Sequence, residues 1–149
     1  MTANKKTIKI YLADDDEDDL MLFSEALEEL PINCKMYNFK DGIFLMGQLM
    51  VKETPLPDLV ILDINMPLMN GAACLLKIRE TERISALPVI IYSNSFEKKE
   101  VDSFKDMGAS GYLQKPNSFN QLKTLLYKCI QPYAQGDYQQ KASNFVIQV

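Results

Sequence analysis

The stretch Ile8-Lys9-Ile10-Tyr11-Leu12-Ala13-Asp14-Asp15-Asp16-Glu17-Asp18-Asp19-Leu20 decides the fold. Its first part is a short, near-continuous apolar run, the pattern of a strand buried on both faces. Consecutive acids interrupt it, and Leu20, Phe23, Leu27 and Leu30 then recur at the spacing of one helical face. A buried strand that passes straight into an amphipathic helix is half of a strand-helix-strand crossover, and the pattern repeats along the chain. Leu59-Val60-Ile61-Leu62 and Val89-Ile90-Ile91-Tyr92 read as further buried strands, with weaker candidates at Cys34 to Phe39 and Gly111-Tyr112-Leu113. Helices are expected at Gly42 to Met50, at Gly71 to Glu80, at Glu97 to Met107 closed by Gly108, and from Phe119 through Leu122, Leu126 and Cys129 behind a Ser118 cap. Five strands alternating with five helices predict an α/β fold: a doubly wound parallel sheet with helices on both faces.

At 149 residues and 47% apolar composition the chain is sized for one domain with a real core. Six of its 20 acids lie in the run from Asp14 to Asp19, so the remaining 14 face 16 Lys and Arg and the net charge of −4 is a local feature. That balance gives little electrostatic case for nucleic acid. The absence of histidine excludes Ser-His-Asp and Cys-His nucleophiles, His-ligated zinc and an imidazole base. Cys34, Cys74 and Cys129 are odd in number, lack metal-ligand spacing and sit among apolar neighbours, as free thiols do. The polar start from Met1 to Thr7 is no signal peptide, and no run approaches the ~18 apolar residues of a membrane span, so a cytoplasmic protein is expected. Residues 1–7 read as an N-terminal extension, 8–131 as the domain, and 132–149 as a Gln-rich tail too short for an output domain, with Phe145 to Val149 expected to fray.

In an open parallel sheet, ligands bind outside the carboxyl ends of the strands at the topological switch point. Asp14 and Asp15 follow the first strand, Asp63 the third, Ser93 the fourth and Lys115 the fifth, whereas Asp58 precedes its strand and belongs to a turn at the opposite rim. Three carboxylates brought together cannot all stay ionised without a cation, and an oxygen-only site favours Mg²⁺, with Mn²⁺ as an alternative. One oxygen of Asp63 could then attack phosphorus, while Lys115 and Ser93 offset charge on the transferring oxygens. Glu17, Asp18 and Asp19 read as a solvated first turn favoured by the helix dipole, with Asp16 assigned to neither group. Met66, Leu68 and Met69 read as a loop packed over the site.

Two other motifs share these residues. Asp14-x-Asp16-x-Asp18 with Glu25 imitates a calcium loop, but the sixth position needs Gly and is Asp19. A strand followed by Asp14-x-Asp16 also suits a small metal-dependent phosphatase of the haloacid dehalogenase type with Asp14 as nucleophile. That class needs a late acidic pair, and the chain past Asp106 offers Asp137 alone.

Four spaced segments together resemble the response-regulator receiver domain of two-component signalling, in its stand-alone chemotaxis-like form, from about Ile8 to Ile130. They are Leu12-Ala13-Asp14-Asp15-Asp16, the stretch from Pro57-Asp58 through Leu62-Asp63-Ile64-Asn65-Met66-Pro67 to Gly71, Ile91-Tyr92-Ser93, and Gly108 through Gly111-Tyr112-Leu113-Gln114-Lys115-Pro116. The resemblance implies a flavodoxin-like sheet in the order 2-1-3-4-5. It implies that Asp63 accepts a phosphoryl group from a histidine kinase or histidine phosphotransfer protein, and that Asp15, Asp63 and the Asn65 carbonyl hold Mg²⁺, with Asp14 helping through water. Lys115 would contact the phosphoryl group, with a cis peptide to Pro116. Ser93 and an inward-turning Tyr112 would form the switch, read by an unknown target protein at a face around Lys98, Lys99, Tyr112 and Gln121. Asn94 beside the switch hydroxyl would narrow access to the phosphate. Such a chain is a phosphoacceptor and not an enzyme in the usual sense. A degenerate receiver that only binds proteins, and a homodimer through the face of the fourth and fifth helices, both stay open at this level.

Overall fold

The computed structural model describes residues 6–135 and 144–148. The polar start at 1–5, the glutamines at 139 and 140 and the final residue, about which the sequence raised expectations, lie outside the described residues. Strands β1 (Ile8–Ala13), β2 (Cys34–Phe39), β3 (Leu59–Asp63), β4 (Val89–Ser93), β5 (Gly111–Gln114) and β6 (Val146–Ile147) form one sheet in the order β2-β1-β3-β4-β5-β6. Every pairing is parallel. Helices α1 (Glu17–Glu28), α2 (Gly42–Leu49), α3 (Gly71–Glu80), α4 (Lys98–Asp106) and α5 (Phe119–Ala134) make the crossovers, with a 3-10 turn at Glu82–Ile84. The expected flavodoxin-like order 2-1-3-4-5 is present, extended by one strand.

Alternation along the strands sorts the side chains into two cores. Ile8, Ile10 and Leu12 of β1 face Phe23 and Leu27 of α1 and Leu122, Leu126 and Ile130 of α5. Tyr11 and Ala13 face the other way, among Leu45 and Leu49 of α2, Leu75 and Ile78 of α3 and Phe104 of α4. The central strands β3 and β4 are buried at every position, which is why they read as unbroken apolar runs, whereas edge strand β2 has no buried residue. Side chains of Asp16, Asp41, Asn70 and Ser118 cap α1, α2, α3 and α5 through backbone N–H groups of their first turns. Gly108 closes α4 at φ +99°, a backbone region that favours glycine.

The chain leaves β1 for β2 on one side and returns to β3 on the other, so the switch point lies between the carboxyl ends of β1 and β3. Gly71 lets α3 approach that end: a Cβ there would collide with the Asp63 carbonyl oxygen, and its N–H donates to the Ile64 carbonyl at 2.8 Å. Between them the loop passes through Leu68 at φ +69°, a strained position for a branched side chain. Leu68 is 80% exposed while Met66 is buried, so of the expected apolar loop over the site Leu68 is not packed. Asp58 sits at the opposite rim as expected, accepting from Lys9 N–H at 2.9 Å and pairing with Lys6 at 2.7 Å.

Two expectations about the end of the chain are corrected. Helix α5 passes the expected domain edge at residue 131 and runs through Pro132 to Ala134. Pro132 falls in the last turn, where its missing N–H costs one backbone bond, and Tyr133 beyond it is 2% exposed within the α1–α5 core. Phe145 and its neighbours also do not fray. Val146 and Ile147 pair with Tyr112 and Leu113 on the edge of β5, the Tyr112 N–H donates to the Phe145 carbonyl at 2.9 Å, and Lys128 Nζ donates to the Gln148 carbonyl at 2.8 Å. A two-residue strand has no period of its own. It forms because the β5 edge offers unpaired backbone groups and apolar neighbours.

Replacing Ile147 with Asp therefore costs about 1 kcal/mol of stability, measured by chemical denaturation, and speeds hydrogen exchange of the Tyr112 amide. An amide as protected as in the parent chain would contradict the β6 pairing.

Candidate functional site

Strand geometry delivers the expected residues to one rim. Asp14 leaves β1 fully buried; its Oδ1 accepts from the Asp16 N–H at 3.0 Å. Its buried Oδ2 lies 3.1 Å from Lys115 Nζ as an ion contact but accepts no hydrogen bond. Asp63 closes β3 at 7% exposure, and Asp15 beside them is exposed. One oxygen from each of Asp14, Asp15 and Asp63 lies within 4.8 Å of the others. Ser93 ends β4, 2% exposed, with its Oγ accepting from the Ser95 N–H at 3.0 Å. Asn94 beside it is exposed, as is Asn65 after Asp63.

Lys115 enters from the end of β5, its N–H bonded to the Ser93 carbonyl at 2.8 Å and its side chain only 8% exposed. The peptide to Pro116 is trans, contrary to the expected cis bond; a trans X–Pro bond is the more stable form in the absence of other constraints. Lys115 Nζ lies 3.6 Å from Asp63, 3.1 Å from Asp14 and 2.7 Å from Asp19, with the Tyr92 ring centroid 5.2 Å away.

Asp19, expected in a solvated first turn, is instead drawn into the site. Glu17 does pair at the surface with Lys40 at 3.2 Å, Asp18 is exposed, and Asp16 is the helix cap, accepting from the Asp18 and Asp19 N–H groups. Asp19, however, turns to Lys115. The signal was in the helical period: Asp19 stands four residues before buried Phe23 and so borders the inward face, which reading the acids as one block concealed.

The electrostatics follow from crowding. Burial, then the charge of Asp14, pushes the Asp63 carboxyl up to about 6, with the Asn65 backbone N–H acting the other way. Burial also raises Asp14, against the pull of the Asp16 N–H and Lys115. Burial alone would lower Lys115, but its hydrogen bond to Asp19 and the charges of Asp14 and Asp63 outweigh that and hold it above the ordinary lysine range. An all-oxygen donor set, with the buried Asp14 Oδ2 in ion contact with Lys115 but outside hydrogen-bond geometry, fits a hard divalent cation.

Tyr112, expected to turn inward on activation, is already fully buried between Phe96 and Phe104, and its hydroxyl donates to the Ser95 carbonyl at 2.8 Å. Cys74 and Cys129 are buried and Cys34 half-buried, all as free thiols. Among the described residues no helix is long and apolar enough to cross a membrane.

Comparison with known proteins agrees with this geometry. Residues 10–127 match the response regulator receiver domain. The probable methanogenesis regulatory protein FilR2 of Methanothrix harundinacea is 30% identical over 117 residues, 76% of each chain. The response regulator Rcp1 of Synechocystis is 26% identical over 117 residues, 76% of this chain and 80% of its own. In fold, the phosphorylated cyanobacterial phytochrome response regulator RcpA superposes with a TM-score of 0.79 at 24% identity, covering 88% of this chain and 96% of that one. The Mn²⁺-bound form of Rcp1 gives a TM-score of 0.73 at 24% identity, covering 84% and 92%.

Because the folded Asp63 holds its proton to about pH 6 against 3.8 for an unhindered carboxyl, the folded state binds more protons between those values. The metal-free protein thus loses stability as pH rises through that window. In chelator at pH 7, Asp63→Asn should be more stable than the parent by on the order of 1–3 kcal/mol, the gap closing as the pH falls towards 4. A less stable variant at pH 7 would contradict the crowding.

Proposed function

This chain belongs to the response regulator receiver domain family, and from that premise we propose that Asp63 accepts a phosphoryl group from a phosphohistidine of a kinase or phosphotransfer protein. The observation that carries the reading is the meeting of Asp63, Asp14 and Asp15 with the buried Lys115 at the switch point. Receiver domains are phosphoacceptor modules of two-component signalling that partner with histidine kinases, so the reading adds the acceptor residue, the roles of its neighbours and the output.

In the proposed transfer an Asp63 oxygen forms a bond to phosphorus as the P–N bond of the donor breaks, the electron pair leaving on the partner's imidazole nitrogen. Asp14, Asp15, Asp63 and the Asn65 carbonyl would hold a divalent cation, Mg²⁺ or Mn²⁺, and the solved Mn²⁺-bound Rcp1 supports the choice of ion. Such an ion, when bound, supplies positive charge against the phosphoryl oxygens. Lys115 adds its own charge beside Asp63. Ser93 accepts from Ser95 and so keeps its hydroxyl proton to donate to a phosphoryl oxygen.

Aspartyl phosphate brings about −1.5 to −2 charge and three acceptor oxygens. Drawing Ser93 towards them weakens its tie to Ser95, whose carbonyl receives the Tyr112 hydroxyl. The change thereby reaches β5 and the face around Lys98, Lys99 and Gln121, where a target protein would read it. The phosphatase reading loses ground because Asp14, its nucleophile, has no exposed surface where Asp63 keeps 7%, and lies closer to Lys115, at 3.1 Å against 3.6 Å.

Phosphoramidate with Mg²⁺ should give a single phosphoryl adduct by intact mass, mapped to Asp63, absent from Asp63→Asn and absent in chelator. Multiple turnover of an aryl phosphate abolished by Asp14→Asn would favour the phosphatase. Cation binding with no adduct from any donor would identify a binding module instead.

A further inference from the structure

Five charged side chains meet at this rim, and their geometry divides them unequally. The ammonium of Lys115 is closest to Asp19 at 2.7 Å, next to Asp14 at 3.1 Å, and farthest from Asp63 at 3.6 Å. Asp19 does not join Asp14, Asp15 and Asp63 in the group whose oxygens can gather on one ion. A cation among those three would therefore leave the Asp19 charge facing Lys115. The Asp19 carboxylate is 27% exposed, on a turn whose N–H is tied at 3.3 Å to the Asp16 cap, so it is held in place without being sealed from solvent. The neighbouring first-turn acids do not share this contact, since Glu17 pairs with Lys40 and Asp18 is exposed.

We infer that Asp19 is a positioning residue that withholds Lys115 from Asp63 and competes with the phosphoryl group for it. The inference rests on Asp63 being the phosphoacceptor. Before transfer, Lys115 is held towards α1 by its shortest contact. After transfer, the phosphoryl oxygens and the Asp19 carboxylate are rival acceptors for one ammonium, and the extra negative charge opposes the modified state. Asp19 thus sets how far the chain is modified at a given donor concentration. The rival account is that Asp19 is an acid at a helix start, favoured by the dipole as Asp18 is.

The test compares the parent chain with Asp19→Asn, Asp19→Glu and Asp18→Asn, the last removing the same charge from the same helical turn without touching Lys115. With phosphoramidate and Mg²⁺, an Asp63 oxygen bonds to phosphorus as the P–N bond breaks, and the already protonated nitrogen departs with the electron pair as ammonia. The ratio of modified to unmodified chain is read by intact mass. Asp19→Asn should raise that ratio roughly three- to tenfold, with Asp19→Glu near the parent and Asp18→Asn unchanged. A second readout needs neither donor nor cation: limiting acetic anhydride, followed by peptide mapping, should label Lys115 at least about threefold faster in Asp19→Asn, because a charge-assisted bond no longer occupies its amine. Equal effects of Asp18→Asn and Asp19→Asn, or a ratio lowered by Asp19→Asn, would overturn the inference. So would unchanged labelling. An adduct in the parent that Asp19→Asn leaves unaltered overturns the competition alone, whereas no adduct in any of the four proteins overturns the phosphoacceptor reading together with it.

Discussion

Asp14, Asp15 and Asp63 place oxygens within 4.8 Å of one another, and among the described residues one buried ammonium, Lys115, stands against them. Burial, and after it the like charge of Asp14, raise the affinity of Asp63 for a proton and push its carboxyl up to about 6. The fold keeps the arrangement in place at the cost of local stability: β1 and β3 are buried core strands whose carboxyl ends cannot drift apart, and Gly71 brings α3 against the backbone of Asp63. A site strained by its own charge gains most from whatever neutralises it, which makes a divalent cation a chemically suitable occupant.

From this pocket a short sequence of contacts leads outward. Ser93 is bonded to Ser95, Ser95 to the Tyr112 hydroxyl, and the Tyr112 backbone to Phe145 in the terminal segment. Each contact is local, and together they run from the end of β4 across β5 to β6. Lys115 joins the same system, since its N–H is bonded to the Ser93 carbonyl while its ammonium lies among the carboxylates. Lys115 thus ties the end of β4 and the end of β5 to the carboxylates around Asp63. Tyr112 is fully buried, with its hydroxyl held by the Ser95 carbonyl.

The parts of the fold legible in the sequence were those dictated by burial. Strands β1, β3 and β4 announced themselves as apolar runs because both faces are covered, and the alternation with amphipathic helices fixed a parallel sheet. The rim residues were legible for a related reason, as polar groups directly after buried strands can only lie at one end of the sheet. What escaped depended on tertiary partners. The β6 strand exists through the edge it borrows from β5, and α5 passes Pro132 because Tyr133 is anchored in the core. Asp19 was hidden by its company: within a run of acids its helical phase, and not its chemistry, sets it apart.

The most direct measurement of the central claim is a calorimetric titration of Mg²⁺ into the parent chain and into Asp14→Asn, Asp15→Asn and Asp63→Asn at neutral pH. Crowded carboxylates relieved by one ion predict a single cation per chain, with affinity falling at least about tenfold in each variant. No binding by the parent, or equal affinity when Asp14 is neutralised, would contradict it.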